Sequence, residues 1–131
     1  MSCGGQMAES SPIDEGLLDY LFRDQLAGDL GTLTHLIDIF FDHTPARIQA
    51  MGEALSRGDL NTLERMAHDV KSNAGTLGAK SLQDHARDIE KHAQAHAASA
   101  ILATLLSNLQ ACYDSTAAAL TEKLRKYEEA V

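Results

Sequence analysis

Between Leu30 and Leu55 the residues Leu30, Leu33, Ile37, Phe40, Thr44, Ile48, Met51 and Leu55 recur at intervals of three or four. A half-buried strand would alternate at every second position. This spacing instead commits the whole stretch to a helix with one buried face. Such a helix has no use for its apolar stripe unless other helices cover it, so the rest of the chain must supply them.

It does. Ser10-Ser11-Pro12 reads as a helix entry, with a hydroxyl cap before a proline in the first turn. A short helix over about 12–27 would carry Leu17, Leu18, Leu21, Phe22 and Leu26 and end at Gly28. Asp29 then caps the long helix, which Gly58 closes, and Pro45 inside it predicts a kink or break near residues 42–44. Asp59 caps a third helix running to about Leu77. Gly78-Ala79-Lys80-Ser81 reads as a tight turn, with Ser81 capping a fourth helix from Leu82 to about His96. Ser99 caps a fifth, from Ala100 towards Tyr127, whose stripe is Leu102, Leu105, Leu106, Leu109, Cys112, Tyr113, Thr116, Leu120, Leu124 and Tyr127. Period-two alternation is absent. The expected fold is all-α, an antiparallel four-helix bundle with an additional short N-terminal helix. Residues 1–10 read as a flexible leader and 11–131 as one bundle domain.

Charge narrows the function. At a formal −8 and a pI near 5.0 the chain would be repelled by nucleic acid. No apolar run approaches the roughly 20 residues of a membrane span. "MSCGGQMAES" lacks the basic start and apolar stretch of a secretory signal, and Met7 is either the natural start or a junction. Cys3 falls in the leader and Cys112 in a helical stripe, so no disulfide framework is built. A cytoplasmic monomer is expected.

The third helix carries the most informative segment, "AHDVKSNAGTLGA" (67–79). At about 100° per residue, Leu63, Met66, Val70, Ala74 and Leu77 gather opposite His68, flanked by Leu60 and Ala67. Beside His68 lie Asn61, Glu64, Arg65, Lys71, Ser72 and Gly75. The histidine therefore faces solvent, with little bulk on its C-terminal side. Glycine in a helix interior costs up to about 1 kcal/mol relative to alanine. Gly75 could pack against another helix, but its direction favours clearance for a docking partner. If the third and fourth helices form a hairpin about Ala79, His68 and Glu90 stand eleven residues either side and face each other. A carboxylate there can accept from Nδ1–H and leave Nε2 as an oriented nucleophile. Lys71, one turn on, can place its ammonium near an anion at that nitrogen. An oriented imidazole, a nearby cation and an open surface suit phosphoryl transfer between proteins.

The same segment resembles the signature of histidine-containing phosphotransfer (HPt) domains, roughly His-x-x-Lys-Gly-small-small-x-x-apolar-Gly. His68, Lys71, Asn73-Ala74, Leu77 and Gly78 fall on its positions, and Ser72 replaces the usual glycine. "LQDHARDIE" follows where the family reads Leu and then apolar-Glu/Gln. Residues 12–128 are similar to the family's bundle, and Glu90 matches the Glu that bonds the active imidazole in chemotaxis-kinase phosphotransfer domains. The resemblance implies a phosphorelay intermediate. A receiver domain's phospho-aspartate would pass its group to His68 Nε2, for transfer to a second receiver aspartate, with a hybrid sensor histidine kinase upstream. Mg2+ would sit in the receiver, so no cofactor or metal is expected on this chain. No glycine-rich nucleotide box accompanies the histidine, which makes it a phosphocarrier and leaves its standing as an enzyme open. The wheel gives Glu64, Arg65, Ser72, Gly75 and Ala79 as partner-binding residues, with Ile39 on the second helix as a further contact or a packing residue.

Two other readings stay open. His92 and His96, with His85 on the same helix, have the i,i+4 spacing that can chelate a metal, although no recurring Glu-x-x-His pair completes such a site. Alternatively, the His68 face binds a receiver without chemistry.

Overall fold

The computed structural model describes residues 11–130. The leader assigned to residues 1–10, with Cys3, Met7 and Ser10, lies outside the described residues, as does Val131. Every regular element among the described residues is helical. α1 is Glu15–Tyr20, prolonged by a π-helical turn at Leu21–Gln25; α2 is Leu30–Arg57, α3 Leu60–Thr76, α4 Lys80–Gln94 and α5 Ser99–Ala130. α2 and α4 each pack against both α3 and α5, which closes a four-cornered all-α bundle. None of these helices is long and apolar enough to cross a membrane.

Most of the stripes read from the sequence fill the core, although Leu17 is exposed and Leu30, Leu55, Leu105, Leu106 and Leu124 are only half-buried. Leu33, Ile37, Phe40, Thr44, Ile48 and Met51 of α2 are buried against Leu63, Ala67, Val70 and Ala74 of α3 and Leu82, Ala86 and Ile89 of α4. α5 adds Leu102, Leu109, Cys112, Tyr113, Thr116, Leu120 and Tyr127. Met66 is only half-buried, and Ala67 takes the central place on α3. Small residues at these positions let the helices approach closely.

Several boundaries differ from expectation. α1 starts at Glu15, capped by the Asp14 side chain accepting from Leu17 N–H at 3.2 Å, rather than at Pro12. α2 runs through Pro45 without a break. Pro45 sits on the exposed face, where the carbonyl it leaves without a helical donor can be met by water. Asp29 and Asp59 cap α2 and α3 as expected, accepting from Thr32 and Thr62 N–H.

The α3–α4 turn carries the largest departure. Ala79 N–H donates to Ala74 O at 2.8 Å and Gly78 N–H to Gly75 O at 3.2 Å, the paired bonds of a Schellman ending. Gly78 adopts φ 72°, and a Cβ there would lie 3.0 Å from Asp14 O. The strand of chain before α1 lies across this turn. Asp14 N–H donates to Gly78 O at 2.6 Å, and Ser81 N–H donates to Pro12 O at 3.2 Å. Ser81 is therefore inside α4 rather than its cap, and Ala79 precedes the helix with no side-chain cap.

Candidate functional site

α3 and α4 run antiparallel about Ala79, and polar side chains cross between them in one register. Gln94 Nε2 donates to Glu64 Oε2 at 2.7 Å. His68 Nδ1 lies 2.9 Å from Glu90 Oε2. Gln83 lies over Gly75, so that a Cβ on the glycine would sit 2.6 Å from its Nε2. In each pair the two residues are equally far from Ala79 in sequence. This is the register of an antiparallel hairpin with few irregularities, and it faces 68 to 90 for the reason the sequence suggests.

The middle rung holds the candidate histidine. Lys71 Nζ donates to Glu90 Oε1 at 2.6 Å, so one carboxylate is held at both oxygens. Exposure is graded across the cluster: the His68 side chain is 56% accessible, Lys71 24% and Glu90 13%. Burial alone pushes the Glu90 carboxyl pKa up. Hydrogen bonds from Lys71 and His68 and the Lys71 charge outweigh it, so the net direction is down and the group is ionised at neutral pH. An ionised carboxylate accepts, so Nδ1 carries the proton and donates to it. His68 Nε2 has no hydrogen-bond partner among the described residues. The ring is thus fixed through one nitrogen and open at the other.

Of the residues read as partner-binding, Arg65 and Ser72 are exposed beside His68. Glu64 is half-buried and engaged by Gln94. A shallow depression of about 300 Å³ is lined by Glu64, Arg65, Met66, His68, Asp69 and Glu90. Ala79 and Gly75 depart from the partner-binding expectation. Ala79 has no accessible surface, because the Schellman turn drives it into the core, so it cannot touch a partner. Gly75 is not simply bare helix: it packs against Gln83 of α4, the account that the wheel had disfavoured.

Three neighbours escaped the sequence reading. Gln94 and Gln83 follow from the register that pairs 68 with 90, had it been carried outward along the hairpin. Arg47 of α2 does not; its Nε lies 3.6 Å from Asp69 Oδ2 and ties α2 to α3 one residue past the histidine. Towards the other end of α2, a pocket of about 170 Å³ opens between Leu36, Ile39, Phe40, His43 and Arg47 on one wall and Asn73, Thr76 and Leu77 on the other. Ile39 is partly exposed there.

The histidines of α4 do not assemble. The helix ends at Gln94, His96 has φ 55° beyond it, and His92 Nδ1–H donates to Asp88 O at 2.7 Å. The i,i+4 geometry needed for chelation is therefore lost. No group of three or more His, Cys, Asp or Glu that could hold a metal ion occurs among the described residues.

No match is found among curated proteins or among solved structures. The family model described as "Hpt domain" does match, over residues 35–124, which takes in α3, α4, most of α2 and most of α5. With an exposed histidine on a helical bundle and that match over most of its length, the chain belongs to the Hpt domain family, the phosphotransfer modules of two-component signalling.

Proposed function

We propose that the chain is a phosphorelay intermediate that carries a phosphoryl group on His68 Nε2 between receiver domains. The observation that supports this best is the asymmetry of the imidazole, with Nδ1 bound to a mostly buried carboxylate and Nε2 without a partner. In transfer, the Nε2 lone pair forms the N–P bond while the P–O bond to the receiver's aspartate breaks and the aspartate leaves as a carboxylate. Nδ1 keeps its proton, so the phosphorylated ring gains positive charge, which Glu90 offsets across the hydrogen bond. Transfer to a second receiver reverses these steps. Lys71 helps to lower the Glu90 pKa in the resting protein, and its ammonium, held on the same carboxylate as the ring, can share the phosphoryl charge when the group arrives. Mg2+ belongs to the receiver's acidic pocket.

The receiver docks over the exposed part of α3, with Arg65 and Ser72 in its footprint. The pocket beside Ile39 has room for about one apolar side chain, the kind of socket that anchors a protein interface. A hybrid sensor histidine kinase supplies the first receiver, in the cytoplasm.

The test is to incubate the chain with phosphorylated receiver and Mg2+. Acid-labile, base-stable label on the chain is the expected result. A receiver that binds without transferring label would leave an interaction module with no chemistry.

A further inference from the structure

The hairpin rung nearest the turn holds an amide with nothing to bind. Gln83 of α4 lies across the backbone of α3 at Gly75, its Nε2 2.6 Å and its Cδ 3.4 Å from where a β-carbon would be. Neither polar atom of its side chain has a partner among the described residues, and the residue is half-buried rather than enclosed. The amide is seated by a glycine but not satisfied by the protein. Two donors and an acceptor are left to solvent.

Its location gives those groups a use. Rungs 75/83 and 68/90 lie on the same face of the hairpin, seven residues apart on each helix. Seven residues of helix span about 10.5 Å. A standard interface buries about 800 Å² per partner, a disc of roughly 16 Å radius. A protein centred over His68 therefore covers Gln83. An amide covered in this way must be hydrogen-bonded by the partner or it weakens the complex.

We propose, resting on the phosphotransfer reading above, that Gln83 is a specificity residue for receiver docking. Its side-chain amide pairs with backbone groups of a receiver loop, and Gly75 is the seat that holds it in place. Arg65 and Lys71 attract acidic surfaces in general. A neutral amide instead tells apart receivers that present a complementary loop from those that do not.

The experiment compares wild type, Gln83→Ala, Gly75→Ala and the double variant in single-turnover transfer. The donor is whichever receiver domain of the same organism, phosphorylated with acetyl phosphate, labels the wild-type chain fastest. Gln83→Ala should raise the half-saturating receiver concentration about three- to tenfold, the worth of one neutral hydrogen bond. The maximal rate should not change, since the His68 cluster is untouched. Gly75→Ala should act in the same way, because the new methyl displaces the amide. The double variant should be no worse than the poorer single one. An unchanged half-saturating concentration in Gln83→Ala, or additive losses in the double variant, would overturn the proposal while leaving phosphotransfer standing. Failure of every receiver to label the wild type would overturn both.

Discussion

Among the described residues two carboxylates each hold a ring donor and a lysine, and the two rings differ in exposure. At one end of the molecule the Asp19 carboxylate accepts from the Tyr127 hydroxyl and forms an ion pair with Lys123 Nζ at 3.3 Å, while that ammonium donates to Glu15 at 3.2 Å. On the hairpin the Glu90 carboxylate accepts from a His68 ring N–H and from Lys71 Nζ. Both pair an aromatic donor and a lysine around one acid, and both carboxyl pKa values are lowered. For Asp19 the Tyr127 hydrogen bond leads, with Lys123 helping against burial. The difference lies in the ring. Tyr127 is 7% exposed, stacks on Phe22 at 4.4 Å between centroids and has Lys123 over its face. Every part of it is used in fastening α1 to α5. His68 is exposed, and its second nitrogen has no hydrogen-bond partner among the described residues. Clamping a ring makes structure; a clamped ring with one heteroatom left over is what the proposed phosphocarrier role requires.

If that contrast is right, substitutions should separate chemistry from stability. The largest effect is expected from His68→Gln, which should abolish acid-labile label from a phosphorylated receiver. It should leave the fold intact at a cost of about 1 kcal/mol or less, because the Gln amide can still donate to Glu90 and Lys71 still holds that carboxylate; retained label would place the chemistry elsewhere. Glu90→Ala should slow transfer about 10- to 100-fold, the range typical when a group that orients a functional imidazole is lost. Nitrogen NMR should show His68 losing its preference for the Nδ1–H tautomer. The mirror experiment is Tyr127→Phe. It should reduce stability by about 1.5–3 kcal/mol, the worth of a hydrogen bond to a charged group, in denaturant titrations. Transfer should stay at the wild-type rate. A Tyr127→Phe protein that is fully stable but slow to transfer would erase the distinction between the two clamps.

How the sequence announced these clamps is uneven. The helices and their buried faces were legible because a 3.6-residue period needs no tertiary knowledge. The approach of 68 to 90 was legible too, since two regular helices joined by a tight turn have one register. Legibility stopped where the helix stopped. A wheel drawn through Ala79 put it beside His68, but the chain leaves helical geometry at Leu77 and the Schellman turn points Ala79 inward. Pro45 and Ser81 failed for the opposite reason. Local rules predict a kink or break and a cap, while α2 continues through Pro45 as one helix and backbone from residue 12 supplies an acceptor to Ser81. The Asp19–Tyr127 clamp joins residues 108 apart, and no local pattern connects them.

The finest test concerns the lysines. Lys71→Ala should slow transfer by about fivefold, corresponding to roughly 1 kcal/mol for a partly exposed ion pair. Its effect on Glu90 can be isolated by pH. The Glu90 pKa is lowered in the folded chain, so the carboxylate contributes stability above its ordinary pKa and loses it as pH falls through the folded value. Lys71→Met removes a hydrogen bond and a charge that lower the pKa and leaves burial, which raises it. In that variant Glu90 should titrate at a higher pH by carbon NMR, and acid unfolding should begin correspondingly earlier on the way down. The Asp19 titration should not move, because Lys123 and Tyr127 still hold it. Equal Glu90 midpoints in wild type and Lys71→Met would mean that the ammonium does nothing for the carboxylate. The two clamps would then differ in the work of their lysines as well as in the exposure of their rings, and the role of Lys71 would have to lie with the phosphoryl group itself.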